Sequence, residues 1–269
     1  MSAVRPAAVA GSFYPGEPSV LATEVASYLA QARGAGASAR APKAIIAPHA
    51  GYIYSGPIAA SVYARLEPLR GRVKRVVLAG PAHRVWVDGI AVPSAAAFDS
   101  PLGAVRIDRD AIAKLRALPF AEVSDRAHAM EHSLEVHVPF LQSVLGDFEL
   151  VPIVVGDASP PEMAQVFDLL WGGDETLIVV SSDLSHYLPY EAARVRDRDT
   201  AEAIMHLQPR LVPDEACGCA PINGLLQAAR SRGLVPEKID VRNSGDTAGD
   251  RSRVVGYGAF AFHEGGARA

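Results

Sequence analysis

The chain has only two cysteines in 269 residues, Cys217 and Cys219. A bridge between residues two apart would close a very small strained ring, so no disulfide framework is available and a reducing compartment is expected. No apolar run approaches the ~20 residues of a membrane-spanning helix. The opening residues, MSAVRPAAVAGSFYPGEP, lack an apolar stretch of signal-peptide length and break early at prolines. Together these absences predict a cytoplasmic protein with no membrane partner. A surplus of positive charge is also missing: the formal net charge is −4 and no Lys/Arg cluster stands out, which argues against a nucleic-acid partner. There is no internal repeat and no low-complexity domain.

Apolar residues make up 49% of the chain and charged residues 21%, enough to build a large core and to set disorder aside. Six segments read as short β-branched strands bounded by Gly, Pro, Ser or Asp: 43–47 (KAIIA), 75–79 (RVVLA), 89–92 (GIAV), 150–155 (LVPIVV), 176–180 (TLIVV) and 254–262 (VVGYGAFAF). Several are apolar without alternation, as expected of strands buried on both faces. Helical patterns lie over 18–33, 57–66, 108–118, 160–170, 191–207 and 220–232, the first carrying the stripe Val20, Leu21, Val25, Tyr28 and Leu29. The Gly/Ala-rich piece 33–41 reads as a surface loop. Alternating strands and helices predict one α/β domain over 1–269, a central mixed sheet flanked by helices.

The chain has eight histidines, and the informative ones sit in short polar motifs. APHAGY (47–52) carries His49 directly after a strand, LAGPAH carries His83 in the same position, and SSDLSH carries His186 after a third strand. Ligands of open α/β sheets bind at the carboxyl ends of strands, so these residues are expected to face one crevice. Imidazole is the commonest metal ligand and the usual proton-transfer group near neutral pH. EHSLEVH (131–137) is not a His-Glu-x-x-His zinc motif, because its two histidines are five apart and cannot both face one metal. One of His132 and His137 is expected to line the site and the other to be packed or exposed. If the segment is helical, His132 and Glu135 share a face. In SSDLSH, Ser181 or Asp183 can cap a following turn, while His186 is a candidate acid, base or further ligand. Cys217 precedes a helix start marked by Pro221, where a thiolate is favoured, and two imidazoles with one thiolate and an open position suit zinc, iron or copper. No role is read for His206, His263 or His128. NSGDTAGD (243–250) reads as a tight polar loop before the last strand.

Taken together, RPAAVAGSFYPG, IIAPHAGYIYSG, LAGPAH, EHSLEVHVPFL, VPIVVG, SSDLSHY, CGCAPI, NSGDTAGD and VVGYGAFAF resemble, in order and over nearly the whole chain, the Memo family (mediator of ErbB2-driven cell motility). The resemblance is to the prokaryotic Memo-like proteins of the AmmeMemoRadiSam system, protein B. It implies a fold similar to class III extradiol, non-haem iron dioxygenases. It also implies a His, His, Cys metal set, which by motif falls on His49, His83 and Cys217. His132, Asp183 and His186 match polar cleft residues, with His186 as the acid/base candidate. Arg84 departs from relatives that carry a second His there, and Cys219 is an extra thiol. The activity so implied is that of a metal-dependent oxidoreductase, dioxygenase-like, using iron or copper with zinc as a lesser option. Its substrate would be a small molecule, and it would have a functional link to AMMECR1-like and radical SAM proteins. Two other readings remain open: a zinc-type metallohydrolase with His186 or Glu135 as base, and a non-enzymatic metal- or peptide-binding adaptor.

Overall fold

The computed structural model describes residues 4–33 and 41–265, so most of the loop expected over 33–41 lies outside the described residues. The strands are β1 (Val4–Arg5), β2 (Ala44–Ala47), β3 (Arg75–Pro81), β4 (Ile90–Val92), β5 (Ala97–Phe98), β6 (Val105–Arg106), β7 (Ala121–Val123), β8 (Glu149–Val155), β9 (Thr176–Ser181), β10 (Asp183–Leu188), β11 (Val235–Asn243) and β12 (Val254–His263). Between them lie α1 (Pro18–Ala32), α2 (Tyr52–Tyr63), α3 (Arg109–Leu115), α4 (Asp125–Ala129), α5 (Val138–Leu145), α6 (Pro160–Leu170), α7 (Tyr190–Met205) and α8 (Cys219–Arg232).

Nine strands form one mixed sheet in the order β10-β12-β2-β9-β3-β8-β4-β7, with β11 also paired to β12. The four central strands β2, β9, β3 and β8 run parallel. Every residue of β2 and β9 is buried, which is why they read as unbroken apolar runs rather than alternating ones. Helices flank the sheet: α2 packs on β2, β11 and β12 and carries α1 and α5, while α8 packs on β3 and β9 and carries α6. The start of α6 shows how local chemistry sets an element: Ser159 and Glu162 form a reciprocal capping box, with proline in the first turn. Among the described residues, no helix is long and apolar enough to cross a membrane.

All six strands read from the sequence are present, and the differences lie elsewhere. Helix α2 starts at Tyr52, five residues before the expected Pro57. That proline sits inside the helix, which persists because Ile58, Ala59, Val62 and Tyr63 are buried in the core. Strand β11, VPEKIDVRN, escapes a hydrophobic reading because it is a charged, half-exposed strand at the sheet's edge. The segment expected to hold an Asp183-capped turn is instead strand β10, paired antiparallel to β12 with register shifts on both sides of His186. A smaller three-stranded sheet joins β1, β5 and β6 and anchors Arg5 against the main body.

Candidate functional site

Because β2, β9 and β3 are parallel neighbours, their carboxyl ends lie on one edge of the sheet and deliver His49, Asp183 and His83 to a common place. Close approach there demands glycine in β3: a Cβ on Gly80 would stand 2.9 Å from Leu134 Cδ2 and 3.0 Å from Ser181 Cβ. A cleft of about 640 Å³ opens over this edge, with His49, His83, His132, Asp183 and His186 in its lining. His49, His83 and His132 form the tight core of it. One ring nitrogen from each lies within 4.8 Å of the others, a spacing that could hold a metal ion. Their rings contact one another, His83 stacking on His132 at 4.8 Å and His49 meeting both edge-on.

The second ring nitrogens define what these imidazoles can do. Ser181 Oγ donates its single hydrogen to the Ser133 carbonyl at 2.6 Å, so it must accept from His49 Nδ1, also at 2.6 Å. His49 therefore carries its proton on Nδ1 and turns a lone pair on Nε2 into the cleft. His83 Nδ1 donates to Glu131 Oε1 at 3.0 Å, and the His83 backbone N–H donates to Glu131 Oε2 at 2.6 Å. A carboxylate behind an imidazole in this way is the usual support of a metal-ligating histidine. Ser133 N–H adds a third bond to Glu131 at 3.0 Å. His83 and the Ser133 amide donate bonds that hold the Glu131 carboxyl at about 2, against the opposing effect of burial. His132 Nδ1 lies 3.5 Å from Glu131 Oε1 yet has no hydrogen-bond partner, an orphaned nitrogen beside the cluster.

Cys217 stands at the same place. Its Sγ is 3.4 Å from His49 Nε2, and its backbone N–H donates to the Asp183 carbonyl at 3.3 Å. Two ligands of one tetrahedral ion, at about 2.1 Å for nitrogen and 2.3 Å for sulfur, stand roughly 3.6 Å apart, so this pair has a ligand spacing. Gly218 allows the approach, since a Cβ there would meet the Ser181 carbonyl at 2.4 Å. Among the described residues, Cys217 is not part of the 4.8 Å imidazole cluster and reaches it through His49. Proximity to a helix start does not make it a thiolate by itself: burial and the neighbouring Asp183 push the thiol well above its ordinary value. Both cysteines are free. Three clustered imidazoles, with an unpartnered buried nitrogen on His132, and a thiol at ligand spacing from His49 fit a borderline or soft transition-metal ion better than a hard one.

Burial sets the protonation of the rest. It pushes His49 well below the ordinary histidine value, takes His132 to about 4, and lowers His186 to a smaller extent. Burial also raises Asp183 to about 7, although its Oδ1 accepts the His49 backbone N–H at 2.8 Å. At neutral pH the cleft thus holds His49, His132 and His186 as uncharged imidazoles, with the Asp183 carboxyl near its titration midpoint.

Of the remaining expectations, EHSLEVH splits as foreseen. His132 faces the cleft, while His137 is buried beside the Tyr63 hydroxyl at 2.7 Å. Glu135, one of the two bases weighed for a hydrolase, is fully buried. Its carboxylate accepts from Arg5, Ala8 N (2.7 Å), Val9 N (2.9 Å) and Tyr14 Oη (2.6 Å), so it is a brace and not a base. Arg5 continues this brace to the carbonyls of His128 and Glu131 at 3.0 and 2.7 Å. The N-terminal RPAAVAGSFYP segment therefore fixes the loop that holds Glu131 and His132. His128 is a buried core residue bonded to the Ala91 carbonyl at 3.0 Å. His206 is exposed next to Glu202, and His263 bonds Glu237 at 2.9 Å, both outside the cleft lining. Sequence reasoning missed the mouth of the cleft, formed by Phe13, Tyr54, Arg84, Tyr187 and Arg253, with Asp250 from the polar loop. These residues sit within the motifs already singled out or directly beside them, but only tertiary structure shows that they share one opening.

Residues 5–261 match the family described as Memo-like protein. The chain is 38% identical over 276 residues to a MEMO1 family protein of Aquifex aeolicus, covering 96% of this chain and 99% of that one. It is 33% identical over 283 residues to one from Sulfolobus acidocaldarius, covering 96% and 99%. A third, from Ignicoccus hospitalis, is 34% identical over 281 residues, covering 96% and 98%. An uncharacterised protein of Escherichia coli K12 with a solved structure is 15% identical with a TM-score of 0.49, covering 81% of this chain and 99% of that one, a likeness too slight to argue from.

Proposed function

The chain belongs to the Memo family, and from that premise we propose that its cleft is the metal centre of an oxidoreductase, dioxygenase-like, acting on a small organic molecule in the cytoplasm. His49, His83 and Cys217 would hold the ion, with His132 beside them as a further nitrogen donor. Iron or copper suits the set best, because thiolate and imidazole are softer ligands than the carboxylates that favour magnesium or calcium. The observation that carries this reading is the trio of imidazole nitrogens within 4.8 Å, with His49 and His83 oriented from behind by Ser181 and Glu131.

When bound, such an ion supplies Lewis acidity and the capacity to exchange an electron. The rest of the chemistry falls to the chain itself. Ser181 and Glu131 fix the imidazole rings in the orientation that keeps a lone pair toward the cleft. Asp183, raised to about 7, can hold or release a proton near neutral pH, and His186, uncharged on the cleft wall, is the partner that accepts one. His49 and Asp183 are themselves buried, while His83 stays open to the cleft.

The test is to load metal-free protein anaerobically with Fe(II) or Cu(I), admit dioxygen, and follow the oxidation state by electron paramagnetic resonance. An ion that changes state, and does so less readily in His186→Ala, supports the reading. An ion that stays inert, or a protein that takes up only zinc, contradicts it in favour of a hydrolase or an adaptor.

A further inference from the structure

The mouth of the cleft has a different character from its floor. Arg84 and Arg253 both line it, and among the described residues neither guanidinium has a carboxylate partner. The one carboxylate at the mouth, Asp250, is committed to its own loop. Its Oδ1 accepts from both the backbone N–H and the hydroxyl of Ser252, each at 2.6 Å. Glu131 lies beneath His83 with its side chain only 1% exposed. The opening therefore presents two guanidinium groups that no carboxylate pairs directly, with the single Asp250 carboxylate turned to its own loop, above the imidazoles of the floor.

One of these charges is held in place. The Arg253 guanidinium lies over the Tyr187 ring, 5.0 Å from its centroid, a cation–π contact that leaves the N–H edge of the fork free. Tyr187 adopts φ +58°, a left-handed conformation that is a genuine outlier for a bulky residue. It sits where β10 slips register against β12, and strand bulges of this kind re-aim side chains beside active sites. Strain of this sort persists where the surroundings over-determine it, commonly at ligand clamps. Here it presents the ring at the cleft mouth, under Arg253, opposite no apolar core.

We propose that the mouth of the cleft recognises an oxyanion, the carboxylate or phosphate of a small organic anion, with Arg84 and Arg253 as its guanidinium contacts and Tyr187 as the platform that positions Arg253. A planar guanidinium fork matches either group in bidentate geometry. Tyr54 and Phe13 in the same lining offer ring faces for the organic portion. The inference rests on the reading of the cleft as a small-molecule site, but not on which metal it holds.

The experiment uses the full chain, metal-free and metal-loaded, titrated with benzoate, phenyl phosphate and neutral benzamide at fixed ionic strength, with binding followed by calorimetry and amide chemical shifts. At least one of the two anions should bind about tenfold or more tightly than benzamide, perturbing residues 84, 187 and 253. Arg84→Gln and Arg253→Gln should each lose about tenfold in anion affinity, the scale of one charged hydrogen bond, and leave benzamide unchanged. Arg253→Lys should fall between, because it keeps charge without the fork. Preference for benzoate names carboxylate, and preference for phenyl phosphate names phosphate. Benzamide binding as well as both anions, anion affinity untouched in both Gln variants, or shifts confined elsewhere would overturn the proposal. His49→Ala separates the two readings. Loss of the ion with anion preference intact would bear on the metal centre alone, while loss of anion preference in a protein that still takes up metal sinks the oxyanion site alone.

Discussion

Replacing Glu135 by Gln tests the brace that carries the candidate site. The side chain keeps its size but loses its charge and one acceptor oxygen. Its four neighbours are all donors: the Arg5 guanidinium, Ala8 N–H, Val9 N–H and the Tyr14 hydroxyl. An amide can accept from the oxygen side only, and its NH₂ faces donors. Arg5 has a 4% exposed side chain and would be left as a buried charge bonded only to carbonyls. Removing one member of a buried pair typically costs ~3–5 kcal/mol, so the melting temperature of a chain this size should fall by roughly 10–15 °C. Differential scanning calorimetry and urea unfolding measure it. The double variant Arg5→Met with Glu135→Gln should recover part of the loss, because the orphaned charge is gone, yet the unpaired N–H groups remain. A fall of under about 3 °C for Glu135→Gln would refute the reasoning, since that is the scale of a single kcal/mol. Glu131→Gln provides the contrast. It removes the support behind His83, and should weaken metal binding about 10–100-fold, with less effect on stability than Glu135→Gln.

Three further outcomes are expected. His128 is lowered by burial to about 4, so the folded state resists a proton that the unfolded chain accepts near 6.5. Its contribution is therefore present above pH ~6.5 and lost as pH falls toward 4, a slope that equilibrium unfolding should show and that His128→Gln should flatten by about 3 kcal/mol over that window. Cys217→Ser should markedly weaken iron or copper uptake, because a hydroxyl is a harder and poorer ligand, whereas Cys219→Ser should retain most of it under anaerobic, reducing titration. His206→Ala and His263→Ala should leave metal stoichiometry unchanged by elemental analysis, as neither lines the cleft.

Much of the fold was legible because buried parallel strands advertise themselves: KAIIA, RVVLA and TLIVV have nowhere to sit but the middle of a sheet. The same logic made His49 and His83 legible, since each follows such a strand at once. Elements whose stability is tertiary were harder to read. β10 and β11 owe their existence to pairing with β12, and their polar sequences carry no periodic signal. Asp183 has the composition of a cap but spends its carboxylate on the His49 backbone N–H, 134 positions away. Glu135 looked like a base because it lies between His132 and His137, and only the long-range bonds from residues 5–14 reveal a brace. Arg84, Tyr187 and Arg253 lie in or beside recognisable motifs, yet nothing in the motifs shows that the loops of Arg84 and Arg253 meet the end of β10 at one opening.

We propose that the ends of β2 and β3 hold a redox metal through imidazoles, with the Cys217 sulfur as a ligand. X-ray absorption at the metal edge of anaerobically loaded, full-length protein tests it most directly. The expected result is one iron or copper per chain with nitrogen donors at ~2.1 Å and a single sulfur at ~2.3 Å, the sulfur shell vanishing in Cys217→Ser and the ion itself lost in His49→Ala. A protein that binds no ion, or one whose metal shell is the same in His49→Ala and Cys217→Ser as in the parent, would contradict it.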